Sequence, residues 1–208
     1  MKLKRFASGL VAAVMALAVL GTPLGDILPF VRESVATTAG AESYGDYTYR
    51  LRNDGMFNGT IEIVGYNGSS TELEIIDNIN GNPVTRFADN AFKNCNTLTK
   101  VNIPSTVTNI GNNVFRDCTN LKEVTIPDSV TSVEADVFVG TALLKNQSST
   151  VKYADKWVID SDNVQNVILK DDTRGIAGRA FSGCTKLKSI KIPEGAIRIS
   201  IYAFYNCS

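Results

Sequence analysis

Apolar and polar positions recur along this chain with a fixed period. Phenylalanine returns at Phe92, Phe115, Phe138, Phe181 and Phe204; three of the four intervals are 23 residues and the other is 43. Twelve positions before four of these rings stand Ile103, Ile126, Leu169 and Ile192, fourteen before stand Val101, Val124, Val167 and Ile190, and seventeen before stand Leu98, Leu121, Val164 and Leu187. In an extended chain, residues two apart point the same way. Val101 and Ile103 therefore face inward while Lys100 and Asn102 face out. Val107 with Ile110, and Val130 with Val133, predict a second short extended piece on the opposite side of each coil. The stretch from Gly111 to Cys118 then turns back and carries Phe115 inward.

Pro104, Pro127 and Pro193 follow the first strand directly, and proline ends a strand because it cannot donate a ladder hydrogen bond. One such unit cannot bury its apolar side alone, whereas stacked units share a continuous core. Before the repeats, Tyr47–Leu51 and Thr60–Ile63 alternate in polarity around Asp54-Gly55 and Asn58-Gly59, which predicts a hairpin capping the first coil. Between the third and fourth units lie twenty extra residues. Within them Lys152–Ile159 reads as two extended pieces around a polar turn. Thr141 replaces the cysteine of the third unit, and Lys170 replaces the proline of the fourth.

The columns together are specific. Ile103-Pro104-Ser105-Thr106-Val107-Thr108-Asn109-Ile110-Gly111-Asn112-Asn113-Val114-Phe115-Arg116-Asp117-Cys118-Thr119-Asn120-Leu121, and Ile126–Val133 after it, resemble the BspA-like leucine-rich repeat of bacterial secreted and surface proteins. The resemblance runs from about Leu73 to the C-terminus. The L-x-x-[VI]-x-I spacing is that of a leucine-rich-repeat strand. The expected fold is an α/β, β-rich, right-handed leucine-rich-repeat solenoid, with a parallel concave sheet and short helical turns or strands on the other side. About five units are expected over residues 71–208, with an insertion near 142–163 and a truncated last unit, after a capping hairpin over 42–70. The resemblance implies extracellular adhesion or recognition and no chemistry.

Lys2, Lys4 and Arg5 precede an apolar run from Leu10 to Leu20, and Ala39-Gly40-Ala41 offers a small-x-small cleavage site. These are marks of an export signal over residues 1–41. The run is short for a membrane span, which needs about 20 apolar residues. The expected location is secreted or cell surface, with membrane attachment only through an uncleaved leader. From Glu42 onward there are 17 basic and 19 acidic residues, a net charge of −2. That balance gives no electrostatic reason to bind nucleic acid.

The chain has no histidine, which removes the commonest general base and metal ligand. No catalytic residue, metal site or cofactor is expected. Asp171 and Asp172 are adjacent but fall in a turn. Asp160-Ser161-Asp162-Asn163 lacks the glycine and distal glutamate of a calcium loop. Cys95, Cys118, Cys184 and Cys207 share one column, read first as a row of small core residues and secondly as two inter-coil disulfides, Cys95–Cys118 and Cys184–Cys207. Binding candidates are the outward strand positions Lys100, Asn102, Glu123, Thr125, Asn166, Ile168, Ser189 and Lys191, continued by Glu72 and Glu74. Tyr153 and Trp157 are candidates in the insertion. The expected role is noncovalent recognition of an extracellular protein or polysaccharide. The alternative is a structural spacer within a larger extracellular protein.

Overall fold

The computed structural model describes residues 40–55 and 58–207. The expected leader lies outside the described residues up to position 39. No helix among the described residues is long and apolar enough to cross a membrane.

The chain first makes a meander of β1 (Glu42–Tyr44), β2 (Tyr47–Arg52) and β3 (Thr60–Tyr66), each antiparallel to the next. The coils follow. Each contributes one L-x-x-[VI]-x-I strand and one strand on the opposite side. The first kind are β4 (Glu72–Glu74), β7 (Lys100–Asn102) and β9 (Glu123–Thr125), which form one parallel sheet in the register Leu73↔Val101↔Val124. The second kind are β6 (Asn82–Phe87), preceded by the short β5 (Asn78–Ile79), then β8 (Asn109–Ile110) and β10 (Ser132–Val133). They form a sheet continuous with the meander, because β3 pairs with β6 in parallel.

The extra residues after the third unit begin with a single helical turn, α1 (Ala142–Lys145), and continue as a hairpin of β11 (Val151–Ala154) and β12 (Trp157–Ser161). This hairpin opens a new sheet on one side of the later coils. β12 pairs in parallel with β14 (Gly175–Ile176), and β14 with β16 (Arg198–Ile199). On the other side β13 (Asn166–Ile168) pairs with β15 (Ser189–Lys191). The meander does the same at the start of the chain, where β3 opens the sheet that β6 continues. Both openings solve one problem: a parallel strand needs a neighbour, and an antiparallel hairpin supplies it from local sequence.

The expected α/β class resolves to a β-solenoid. Among the described residues α1 is the one helix, four residues long. The turns that carry Phe inward are too tight for an α-helix and close by i→i−3 bonds such as Cys118 N–H to Phe115 O at 3.2 Å. They are made possible by two columns of positive φ, two residues before and two after each ring. The first column is Asn90, Asn113, Asp136, Arg179 and Tyr202; the second is Asn94, Asp117, Gly140, Gly183 and Asn206. Asn, Asp and Gly tolerate this region, and eight of these ten positions carry one of them.

The Phe column forms a ring ladder. Phe92–Phe115, Phe115–Phe138 and Phe181–Phe204 have centroids 5.3, 5.8 and 5.2 Å apart. Tyr66 extends it below Phe92 at 5.5 Å, and Tyr47 below Tyr66 at 5.2 Å. The ladder and the core both break at the insertion. One buried cluster runs from Tyr47 to Trp157 and also takes in Ala177, and the other spans Val158 to Ala203.

Candidate functional site

The outward face of the L-x-x-[VI]-x-I strands falls into two patches. On β4–β7–β9 the polar side chains satisfy one another: Lys100 Nζ lies 3.9 Å from Glu123, and the Asn102 side-chain amide donates to Glu74. Glu72, Lys100 and Glu123 alternate in sign across directly paired strands. Exposed pairs of this kind contribute little, about 0–1 kcal/mol. Thr125 completes this patch and is exposed.

On β13–β15 the character changes. Ser189 Oγ donates to Asn166 Oδ1 at 2.8 Å, while Ile168 is 80% exposed beside its register partner Lys191. Ile168 is more exposed than any other large apolar side chain among the described residues. Among the described residues Lys191 has no ion-pair partner. The strand alternation required by burial of Val167 and Leu169 puts residue 168 outside, but does not require it to be isoleucine.

The two insertion candidates part company. Trp157 is 2% exposed and belongs to the core, so it offers no surface to a partner. Its ring lies flat over Gly175, its register partner on β14; a Cβ on Gly175 would stand 2.4 Å from the ring. A large ring over an empty position on a paired strand is buried by geometry that the sequence around Trp157 does not show. Tyr153 is half-buried. Its hydroxyl accepts from Lys170 N–H at 3.2 Å, and the Lys170 ammonium sits 4.3 Å from its ring centroid. Lys170 thus replaces the usual proline with a donor and a cation, and both are used by Tyr153.

The remaining motifs resolve as structure. Asp160 and Asp162 both accept from Lys152 Nζ, at 2.8 and 3.0 Å, so a side-chain ammonium stands between the carboxylates. Asn163 Oδ1 accepts from Lys186 N–H at 2.8 Å, as Asn96 Oδ1 accepts from Thr119 N–H at 3.0 Å one column earlier in a preceding coil. Asp171 and Asp172 are exposed in a turn. Among the described residues no group of three or more His, Cys, Asp or Glu could hold a metal.

The four cysteines are free thiols in one column. Cys118 and Cys207 donate to the carbonyl of the preceding unit's Phe, at 3.0 and 2.9 Å. The neighbouring Cys95 sulfur, and then burial, push the Cys118 thiol far up and hold it protonated. Thr141 replaces cysteine where α1 begins, and the substitution has a reason. Its hydroxyl donates to Phe138 O of its own unit at 2.7 Å, where the thiols of Cys118 and Cys207 reach the preceding unit, and it also accepts from Leu144 N–H at 3.2 Å as the helix cap.

Charge is distributed unevenly, which the small net value conceals. Residues 42–162 carry 10 basic and 16 acidic side chains, and residues 163–208 carry 7 and 3, so the two parts are −6 and +4.

The chain belongs to the BspA type leucine rich repeat region family, which matches residues 65–155 and 155–208 in six copies, where the Phe spacing predicts about five. It is similar to the leucine rich repeat protein of T. pallidum, at 24% identity and a TM-score of 0.51, over 81% of this chain and 68% of that one. A leucine rich cell surface protein from Faecalibacterium prausnitzii is 26% identical with a TM-score of 0.48, over 82% of this chain and 47% of that one. A leucine-rich repeat protein from Bacteroides ovatus is 23% identical with a TM-score of 0.49, over 80% of this chain and 45% of that one. The chain thus spans less than half the length of the last two. No curated protein matches it in sequence. The family defines a repeat module of bacterial surface-type proteins.

Proposed function

We propose that this chain is a noncovalent recognition module, exported and held outside the cell, whose β13–β15 face binds an extracellular protein. The observation that carries this reading is Ile168, 80% exposed among Asn166, Ser189 and Lys191. An apolar residue ringed by polar ones is the pattern of an interface anchor. Burying it under a partner contributes about 1.5–3 kcal/mol, roughly one to two powers of ten in affinity. A protein is favoured over a polysaccharide because none of the ten outward strand positions from Glu72 to Lys191 is aromatic. Lys100, Asn102, Glu123 and Thr125 on the first patch are already engaged with one another or lie beside such pairs, and serve as a rigid shoulder.

The test is an array of immobilised extracellular matrix proteins and glycans probed with the wild-type chain and with Ile168→Glu. Binding to a protein spot that falls at least tenfold in the variant supports the reading. Binding to glycans alone, or protein binding that Ile168→Glu leaves intact, overturns it.

A further inference from the structure

The outward face of β2, β3 and β6 carries a groove of 380 Å³ lined by Arg50, Glu62, Val64, Arg86, Ala88 and Asp89. Two irregularities of strand register shape it. Between β2 and β3 the pairing passes from Thr48↔Gly65 to Tyr49↔Ile63 and skips Val64. Between β3 and β6 it passes from Ile61↔Val84 to Glu62↔Arg86 and skips Thr85. An extra residue of this kind re-aims the side chains around it, and such bulges are enriched beside functional sites. The second bulge sets Arg86, rather than Thr85, opposite Glu62. Arg50 lies opposite Glu62 on the other strand, so one carboxylate stands between two guanidinium groups. In the column of Arg86 the next two coils carry the uncharged Asn109 and Ser132, which confines the basic pair to this stretch.

The two guanidinium groups are held in place with most of their donors unused. Arg86 Nε lies 2.9 Å from Glu62 Oε1, which leaves its terminal nitrogens open. Arg50 Nη1 is 3.9 Å from Glu62 Oε2, beyond hydrogen-bond length. Among the described residues neither guanidinium has another side-chain partner. The Glu62 side chain is 16% exposed, against 52% for Arg50 and 35% for Arg86, so the carboxylate lies beneath its two cations and positions them. Val64 and Ala88 follow Glu62 and Arg86 by two residues and continue the same face as an apolar floor. Beyond Ala88 stands the Asp89 carboxylate, oriented by the Asn112 N–H at 2.8 Å. We propose that this groove binds a sugar carboxylate, a hexuronate unit. Its carboxylate bridges Arg50 and Arg86, its C–H face rests on Val64 and Ala88, and its hydroxyls donate to Glu62 and Asp89. Planar guanidinium forks match a carboxylate. A ligand with one negative charge and several donors meets cations at one end and acceptors at the other. A polyacidic peptide or a multiply sulfated sugar would set further negative charge against Asp89. A neutral sugar finds no hold, because no aromatic ring lines the groove.

The test titrates the full chain with sodium glucuronate, with glucose and with a blocked di-aspartyl peptide, followed by saturation-transfer NMR of the ligand. Saturable glucuronate binding is expected, with glucose and the peptide at least tenfold weaker. Arg50→Gln should weaken glucuronate binding at least tenfold, and it removes a guanidinium with no hydrogen bond of its own, so the fold is kept. Ala88→Leu raises the floor without altering charge and should weaken it at least fivefold. Ile168→Glu should leave it within threefold, which separates this groove from the β13–β15 face, so either reading can fail alone. The proposal is overturned if glucose binds as well as glucuronate, if the peptide binds more tightly, if Arg50→Gln leaves the affinity unchanged, or if no saturable binding occurs at tens of millimolar.

Discussion

The backbone N–H of Ile126 donates to the Asp155 carboxylate at 3.0 Å, across 29 residues of sequence. For Ile75, Ile103 and Leu169, at the same position in their coils, this N–H reaches a carbonyl of the next parallel strand, as Ile103 does with Thr125. After β9 that strand is missing, and a side chain in the β11–β12 turn takes its place. Ile126 is buried, so without Asp155 its N–H would stand unsatisfied at the edge of the core. Asp155→Ala should lower unfolding stability by about 1–3 kcal/mol. Asp155→Asn keeps an acceptor and tolerates the positive φ of 51° at this position, and should retain most of the stability. Denaturant midpoints of the two variants measure the difference, and equal losses would refute the assignment.

Trp157 and Gly175 form a second pair at the same junction. Gly175→Ala places a methyl group where the ring now lies. Overpacking of this kind costs about 1–3 kcal/mol. Trp157 is the chain's one tryptophan, so its fluorescence reports the displacement directly. A red shift accompanied by a lower unfolding midpoint is expected. An unchanged spectrum would mean that the ring has room.

Tyr202 occupies a column filled by Asn90 and Asn113 in earlier coils, at a φ of 59°. A non-glycine residue other than Asn or Asp pays about 1–2 kcal/mol there. Arg179 in the same column gains an ion pair to Asp136 at 3.0 Å, while Tyr202 gains one edge-on ring contact to Tyr205 at 5.8 Å. Tyr202→Asn should therefore stabilise the chain by about 1 kcal/mol, measured by thermal unfolding. A destabilised variant would show that the tyrosine ring contributes more than the backbone loses.

Asp128 links the third coil to the insertion and the fourth coil. Its carboxylate accepts from Lys156 Nζ at 3.0 Å and lies 3.8 Å from Arg174 Nε. The hydrogen bond from Lys156, then its charge, and then Arg174 hold the Asp128 carboxyl below its ordinary range. A depressed carboxylate stabilises the fold above its unfolded pKa, near about 4, and loses that contribution as pH falls through the lower folded value. Wild type should then melt above Asp128→Asn at pH 7, and the two curves should converge below about pH 3. Salt at 0.5 M should narrow the gap at neutral pH, because these groups are exposed. A gap independent of pH would assign it to something other than charge.

How far the chain can be read without its fold depends on the range of the interaction. Alternation within a strand and the Phe period act through local geometry, and they suffice to place Val101, Val124, Val167 and Ile190 inside with Lys100, Glu123, Asn166 and Ser189 outside. The family resemblance rests on the same columns. The small set of residues that tolerate positive φ is visible too, at Asn90, Asn94, Asn113 and Asp117, two residues either side of each ring.

What periodicity could not carry lies at the insertion, where the period fails. A column predicts that Ile126 N–H needs an acceptor, but not that a carboxylate 29 residues later supplies it. Nor does an aromatic residue in a polar segment reveal a buried ring, since Trp157 is covered only because Gly175 on the paired strand leaves space. The meander's first strand, β1, is all exposed and shows no alternation to read. Repetition along the chain determined which atoms each coil presents to the next, because every coil repeats the same short-range geometry. Where one coil is not followed by its like, the partners of those atoms come from distant residues, and only the folded arrangement decides them.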